Sequence, residues 1–324
     1  MRLENQEKIA VIIPMYRVEG HIRAVVNRIP EFIDLIIAVD DASPDRSGSV
    51  LAEMKEPRLH LLNHEKNQGV GGAMLSGFRK ALELGASVVV KMDGDDQMSA
   101  EHLPALLQPI LAGEADFAKG NRFTSSRSIT RMPLIRRMGN LALSFVVKAC
   151  SGYWNLFDPT NGYFALDVHM LRNLDLEHLH KRFFFEISLL NELNRSRALV
   201  VDVPIPAKYD NQTSSLSIWR TLFEFPPLLL LAWLRRIWWQ YFTYDFSVGS
   251  LFLVTGTLLT AFGGIWGIVW WVRSMLTNTV SSTGTVMIAV LPIILGVQLL
   301  LQFLALDIQS VPVKPHNPRQ SKSG

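Results

Sequence analysis

Residues 87–97 read Ser87-Val-Val-Val-Lys-Met92-Asp93-Gly-Asp95-Asp-Gln97, a short apolar run that stops abruptly in carboxylates and an amide. The apolar part reads as a buried strand. In an extended segment, side chains at i, i+2 and i+4 share a face, so Asp93, Asp95 and Gln97 would present three oxygens to one point. Donors of that kind suit a hard divalent cation, Mg2+ or Mn2+. Such an ion takes one or two protein carboxylates and fills its other positions with water and substrate phosphates. Solvated turns use the same Asp and Gly residues for backbone reasons, and the run alone leaves both readings open.

The residues upstream of this run repeat its pattern. Ile9-Ala-Val-Ile-Ile13 leads to a helical pattern over 19–28, Leu35-Ile-Ile-Ala-Val39 to one over 47–54, and residues 59–62 to one over 71–84. The last of these carries Leu75, Phe78 and Leu82 on one face and stops at Gly85. After residues 87–92 comes a further helix over 100–111. Alternating β and α units predict a mostly parallel sheet with helices on both faces, and such sheets bind ligands at the carboxyl ends of their strands. Pro14-Met15-Tyr16, Asp40-Asp41 and Asp93 to Gln97 all fall at those ends.

The chain has 324 residues, 48% hydrophobic, with a net charge of +3, and its mean hydropathy of +0.18 is high for a soluble protein. The excess sits near the C-terminus. Residues 246–272 and 274–306 contain no charge, and each is longer than the roughly 20 apolar residues that cross a bilayer as a helix. Arg235 and Arg236 precede the first span, Lys314, Arg319 and Lys322 follow the second, and only Arg273 lies between them. This asymmetry places both termini and the large N-terminal domain in the cytoplasm. Residues 216–245 interleave Trp, Phe and Tyr with Arg220, Arg235 and Arg236 around Pro226-Pro227, which reads as two short amphipathic helices at the headgroup level.

The predicted organisation is therefore a domain at 1–215, juxtamembrane helices at 216–245, a two-helix hairpin at 246–306 and a disordered tail at 307–324. Gly249, Gly256, Gly263 and Gly264 offer faces for helix packing between copies. A single cysteine, Cys150, builds no disulfide framework and fits a reducing compartment. No dense Lys/Arg cluster points to nucleic acid. Asn67-Gln-Gly69-Val-Gly71-Gly72-Ala73 is neither a dinucleotide fingerprint nor a P-loop, because Met74 stands at the third glycine and no Lys-Ser/Thr follows. Its glycines let the loop pass close to the strand ends or to a ligand.

Taken in order, the segments Val11-Ile-Ile-Pro14-Met-Tyr16, Val39-Asp40-Asp41-Ala-Ser43-Pro-Asp45, the 67–73 loop and Asp93-Gly-Asp95-Asp-Gln97 resemble glycosyltransferase family 2 enzymes of the GT-A fold. Gly120-Asn121-Arg122-Phe123, Asp158-Pro159-Thr160-Asn161-Gly162-Tyr163 and Val203-Pro204-Ile205 resemble the branch of dolichyl-phosphate mannose synthases and bacterial polyprenyl-phosphate glycosyltransferases. The resemblance covers residues 8–216. It implies an α/β, Rossmann-like GT-A domain that inverts the anomeric centre while passing one sugar from a UDP- or GDP-linked donor to a polyprenyl phosphate. It places Pro14, Tyr16, Glu19, Asp41, Gly71, Asp93 and Arg122 around the nucleotide sugar, and Asp93, Asp95 and Gln97 on the Mg2+ or Mn2+. Asp158 becomes the base or acceptor-orienting carboxylate, with Asp95 as its catalytic companion.

Two departures stand out. Arg17 and Val18 replace the family's usual Asn-Glu after the tyrosine, leaving Glu19 as the nearest acid. Tyr209-Asp210-Asn-Gln-Thr-Ser214-Ser215-Leu216 replaces a basic segment, and Arg131, Arg136 and Arg137 are the candidates to supply the missing charge to the acceptor phosphate. A transferase of the same family with another lipid or glycan acceptor, and a non-catalytic scaffold that binds nucleotide sugars, are the alternatives.

Overall fold

The computed structural model describes residues 7–122, 134–205 and 218–316. These fall into two compact units, residues 1–233 with 312–324, and residues 234–311.

The first unit is built on a seven-stranded sheet in the order β3-β2-β1-β4-β6-β5-β7. The strands are β1 (Ile9–Met15), β2 (Leu35–Asp40), β3 (Leu59–Asn63), β4 (Val88–Lys91), β5 (Phe117–Asn121), β6 (Phe164–Asp167) and β7 (Val200–Pro204). Strand β6 alone runs against its neighbours, and the other pairs are parallel. Residues alternate between two buried faces. Val11, Ile13, Ile36, Ala38, Val88 and Val90 pack with α1 (Ile22–Asn27), α2 (Ser47–Ala52) and α4 (Leu103–Leu111) in one core. On the other face α3 (Val70–Glu83) comes so close that a Cβ on Gly77 would strike the Ile12 side chain. Phe78 of α3 meets Phe185 of α7 (Phe185–Arg195), ring centroids 6.3 Å apart.

The predicted helices appear within a few residues of their expected bounds. Helix α3 buries Leu75 and Phe78 together with Met74 and Ala81, and Gly85 at φ +73° ends it, a conformation that favours glycine. The sheet unit also contains α5 (Leu134–Ser151) and α6 (Val168–Asn173).

Two expectations are overturned outside the sheet. Residues 218–238 form one helix, α8 (Ile218–Trp238), that runs through Pro226 and Pro227. Each proline removes a backbone donor and strains a helix interior by roughly 3 kcal/mol. Packing offsets this: Phe225, Leu228, Leu229, Ala232 and Trp233 pack against Val147 and Cys150 of α5 and Phe184 and Ile187 at α7. The predicted disordered tail is also partly ordered, since helix continues to Gln309. The backbone N–H of His316 then donates to the Asp116 carboxylate at 2.9 Å.

In the second unit, α9 (Val248–Thr277) and α10 (Thr283–Gln309) are long and apolar enough to cross a membrane, with mean hydropathy of 1.8 and 2.4 over their best windows. At 1.5 Å per residue each exceeds the roughly 30 Å hydrocarbon thickness. The hairpin explains the glycines: a Cβ at Gly256 would lie 2.9 Å from Gly296 O, and one at Gly263 would lie 2.5 Å from Ala289 O. Those two positions are used within the chain, while Gly264 faces open space. Before α9, Arg236 forks Asp307 through Nη1 and Nη2 at 2.8 and 2.9 Å. Tyr241 Oη donates to the same carboxylate at 2.8 Å.

Candidate active site

Strands β1 and β2 end side by side, and the two loops that leave them are stitched together by short polar side chains. Val18 N–H donates to Ser47 Oγ at 2.9 Å, Glu19 N–H to Asp45 Oδ2 at 3.2 Å, and Arg46 N–H to Glu19 Oε2 at 3.1 Å. Glu19 therefore closes a loop seam. Pro14 is half-buried at the strand end. Tyr16 is exposed beyond it, with the Arg17 guanidinium 5.2 Å from its ring centroid.

Asp41 is buried, and its chain supplies most of its partners. Oδ1 accepts from Gln68 N–H at 2.8 Å and Oδ2 from Gly69 N–H at 2.7 Å. His64 Nδ1 stands 2.7 Å from Oδ1. A carboxylate has about four acceptor sites, so about one remains for a ligand. The 67–73 loop that Asp41 anchors is also pressed against another backbone segment. A Cβ on Gly71 would overlap His180 O, one on Gly69 would lie 2.6 Å from Lys181 O, and Gly72 N–H donates to Lys181 O at 3.0 Å. The glycine at 71 is accounted for by this close approach of two loops of the same chain.

The Asp93 run does not continue β4. The strand ends at Lys91 and residues 94–96 turn, with Asp96 at φ +66°. The expected i, i+2, i+4 alignment is thereby corrected: Asp95 Oδ1 accepts from Gln97 N–H at 3.1 Å, a carboxylate turning back on its own backbone. Gln97 is exposed, and Asp96 is drawn off to Arg28 at 2.6 Å. Asp93 and Asp95 remain close enough to act on each other. Burial holds the Asp95 carboxyl above the usual carboxylate range, and the Asp93 charge adds to the rise.

Behind this turn lies a lysine that the sheet buries completely. Lys91 Nζ is 2.8 Å from Asp93 Oδ1 and 3.4 Å from Glu186 Oε1 at the start of α7. Burial pushes its ammonium down, but the two carboxylates outweigh this and the net shift is upward. Gly162 leaves the space, since a Cβ there would run into Lys91 Nζ. Phe164 of β6 pairs with Lys91 on one side and Lys119 on the other, so both lysines point to the same face. The buried Lys119 ammonium hydrogen-bonds Asn161 O, and burial lowers its pKa to about 8.

Asp158 and Arg122, from separate segments, meet as a fork. Asp158 is fully buried; Arg122 Nε donates to Oδ2 at 2.7 Å and Nη2 to Oδ1 at 3.1 Å. Paired donors of this kind hold a carboxylate in one orientation. Beside them Asp202 Oδ2 accepts from Asn121 Nδ2 at 3.2 Å and Phe157 N–H at 2.6 Å.

Arg131 and the 206–217 segment lie outside the described residues, and for Arg136 and Arg137 only their place on α5 is described. Lys91, Lys119, Glu186 and Asp202 were not expected at the site. The lysines had a signal: Lys91 follows three valines and Lys119 follows Phe117-Ala118 in fully buried strands, where a charge must find partners.

Among the described residues no three His, Cys, Asp or Glu side chains gather as a metal cage. Asp93 and Asp95 are two neighbouring carboxylates, a donor type that suits an ion taking its other ligands from phosphate and water.

A sequence profile described as glycosyl transferase family 2 matches residues 10–175. The UDP-N-acetylglucosamine–dolichyl-phosphate N-acetylglucosaminyltransferase of Methanococcus voltae is 31% identical over 62% of this chain and 86% of its own length. The undecaprenyl-phosphate mannosyltransferase of Micrococcus luteus is 32% identical over 61% and 82%. In fold, the chain resembles glucosyl-3-phosphoglycerate synthase of Mycobacterium tuberculosis, solved with Mn2+ and UDP. The TM-score is 0.51 at 18% identity, covering 71% of this chain and 80% of that one. With a strand-end rim of carboxylates on a GT-A-like sheet, and a match over half its length, this chain belongs to glycosyltransferase family 2.

Proposed function

We propose that this glycosyltransferase moves one sugar from a nucleotide sugar to a polyprenyl phosphate, undecaprenyl or dolichyl, on the cytoplasmic face of a membrane, with inversion and with Mg2+ or Mn2+. One observation carries the reading: a sheet rim with paired carboxylates and two helices able to span a bilayer belong to the same chain. A polyprenyl chain costs about 0.8 kcal/mol per methylene to draw from the membrane, so the enzyme has to work where the lipid is. The relatives named for dolichyl- and undecaprenyl-phosphate transfer support the acceptor class. In this reading residues 1–215 catalyse, 216–245 lie at the interface, 246–306 span, and both termini are cytoplasmic.

The rim around Pro14, Tyr16 and Asp41 receives the nucleotide, and the turn that carries Asp93 and Asp95 holds the cation against its diphosphate. When bound, that cation supplies Lewis-acid stabilisation of the charge developing on the leaving diphosphate. Arg122 offers N–H donors to phosphate. The acceptor phosphate is already anionic near neutral pH, so no strong base is required, and Asp158 orients Arg122 and the acceptor. Attack from the face opposite the leaving group inverts the anomeric carbon in one displacement.

Purified full-length protein, labelled UDP- and GDP-sugars, Mg2+ and undecaprenyl or dolichyl phosphate should give one labelled lipid. Absence of labelled lipid with every common donor would refute the proposal. Asp95→Asn should abolish the product while leaving the unfolding midpoint near that of the parent.

A further inference from the structure

We propose that Lys148 and Phe157 hold the acceptor where its phosphate joins its first isoprene units; this rests on the polyprenyl-phosphate reading and assigns residues to it. Phe157 directly precedes Asp158, the carboxylate that forks Arg122. Its backbone is fixed, because its N–H donates to Asp202 Oδ2 at 2.6 Å, yet its side chain is 68% exposed. A phenyl ring left this exposed offers apolar area for a ligand to cover.

Lys148, on the last turns of α5, lies beside that ring, its ammonium 5.3 Å from the centroid. Among the described residues no carboxylate pairs with it. A cation that no carboxylate salt-bridges among the described residues, set against a largely exposed ring, matches in charge and polarity a phosphate carried on a prenyl chain. One turn earlier on the same helix Phe145 and Val146 are exposed, with Phe145 set edge-on to Trp154 at 5.5 Å. These side chains add exposed apolar area one helical turn from Lys148. A purely structural Lys148, balancing the nearby Asp202, would leave acceptor binding untouched.

The test uses the full chain with farnesyl phosphate as a short acceptor, comparing wild type with Lys148→Met, Lys148→Arg and Phe157→Ala. Lys148→Met should raise KM for farnesyl phosphate about tenfold, the equivalent of ~1.4 kcal/mol, with KM for the nucleotide sugar within about twofold; Lys148→Arg should recover most of the loss. Phe157→Ala should narrow the wild-type preference for farnesyl over isopentenyl phosphate. The thermal shift given by farnesyl phosphate without donor should weaken in the same variants. Inorganic phosphate and farnesol each carry half of the recognised chemistry, so neither should compete with farnesyl phosphate in wild type. Unchanged acceptor KM and thermal shift in Lys148→Met and Phe157→Ala, equal rises in both KM values, or full competition by inorganic phosphate overturns the assignment. Wild type that makes no prenyl-linked product and is not shifted by farnesyl phosphate refutes the acceptor class itself, and the assignment falls with it.

Discussion

Alanine at Gly162 should act on the Asp93–Gln97 turn through a single buried ammonium. The new Cβ would fall within the contact radius of Lys91 Nζ, so an ordinary separation of about 3.5 Å requires the ammonium to retreat by about 1 Å. Nζ stands 2.8 Å from Asp93 and 3.4 Å from Glu186. With an effective dielectric constant near 20, a 1 Å retreat loses about 1.5 kcal/mol against the nearer carboxylate and about 1 kcal/mol against the farther. Since Asp93 is one-third exposed, solvent reduces the first figure, and about 2 kcal/mol in all is expected. In detergent solution this corresponds to a fall of roughly 4–8 °C in the unfolding midpoint for a unit of this size. The decisive comparison is a double-mutant cycle with Lys91→Met. Without the ammonium there is little to displace, and Gly162→Ala should then cost less than about 0.5 kcal/mol. Equal losses in the two backgrounds would mean that the clash lies with something other than the lysine.

Arg236→Met should cost about 3–5 kcal/mol, because it strands the buried Asp307 carboxylate with Tyr241 as a remaining donor. Arg236→Met with Asp307→Leu should return the midpoint to within about 1 kcal/mol of the parent, and a double variant no better than the single one contradicts this. Gly71→Ala drives a Cβ into the His180 carbonyl, which yields less readily than a side chain, so a loss of about 1–3 kcal/mol is expected. Gly264→Ala, with open space around it, should be neutral or slightly stabilising by unfolding midpoint. Burial lowers the Lys119 pKa from 10.5 to about 8, so between those values the unfolded chain keeps a proton that the folded chain has released. Stability from this group therefore rises with pH across that window, by about 3 kcal/mol. Urea unfolding of wild type against Lys119→Met should show the difference moving in favour of wild type from pH 7.5 to 10.5; a constant difference refutes the shift.

The sheet and the spans were legible because their signals are local. A two-residue or 3.6-residue apolar period, or a long uncharged run, is written in consecutive residues and needs no knowledge of partners. The rim was legible for a related reason, since alternating units put strand ends together whatever the loops do. The partners of the rim residues were not. Asp41 meets donors 23–28 positions away, Gly71 meets a backbone more than a hundred residues distant, and Glu19 is taken up by a neighbouring loop. Sequence gives residue type at those positions, but only loop packing chooses the partner.

By itself, then, the sequence determined an α/β domain with a carboxylate-bearing rim, followed by two helices able to span a membrane, and the motifs that mark the family. Tertiary structure decided that Asp93 to Gln97 is a turn backed by Lys91, that Asp158 is locked to Arg122, and that α8 runs through two prolines. It also turned part of the tail back onto Asp116. Each of these depends on free energy gained between segments far apart in the chain, through buried charges satisfied and apolar faces covered, which no local pattern records.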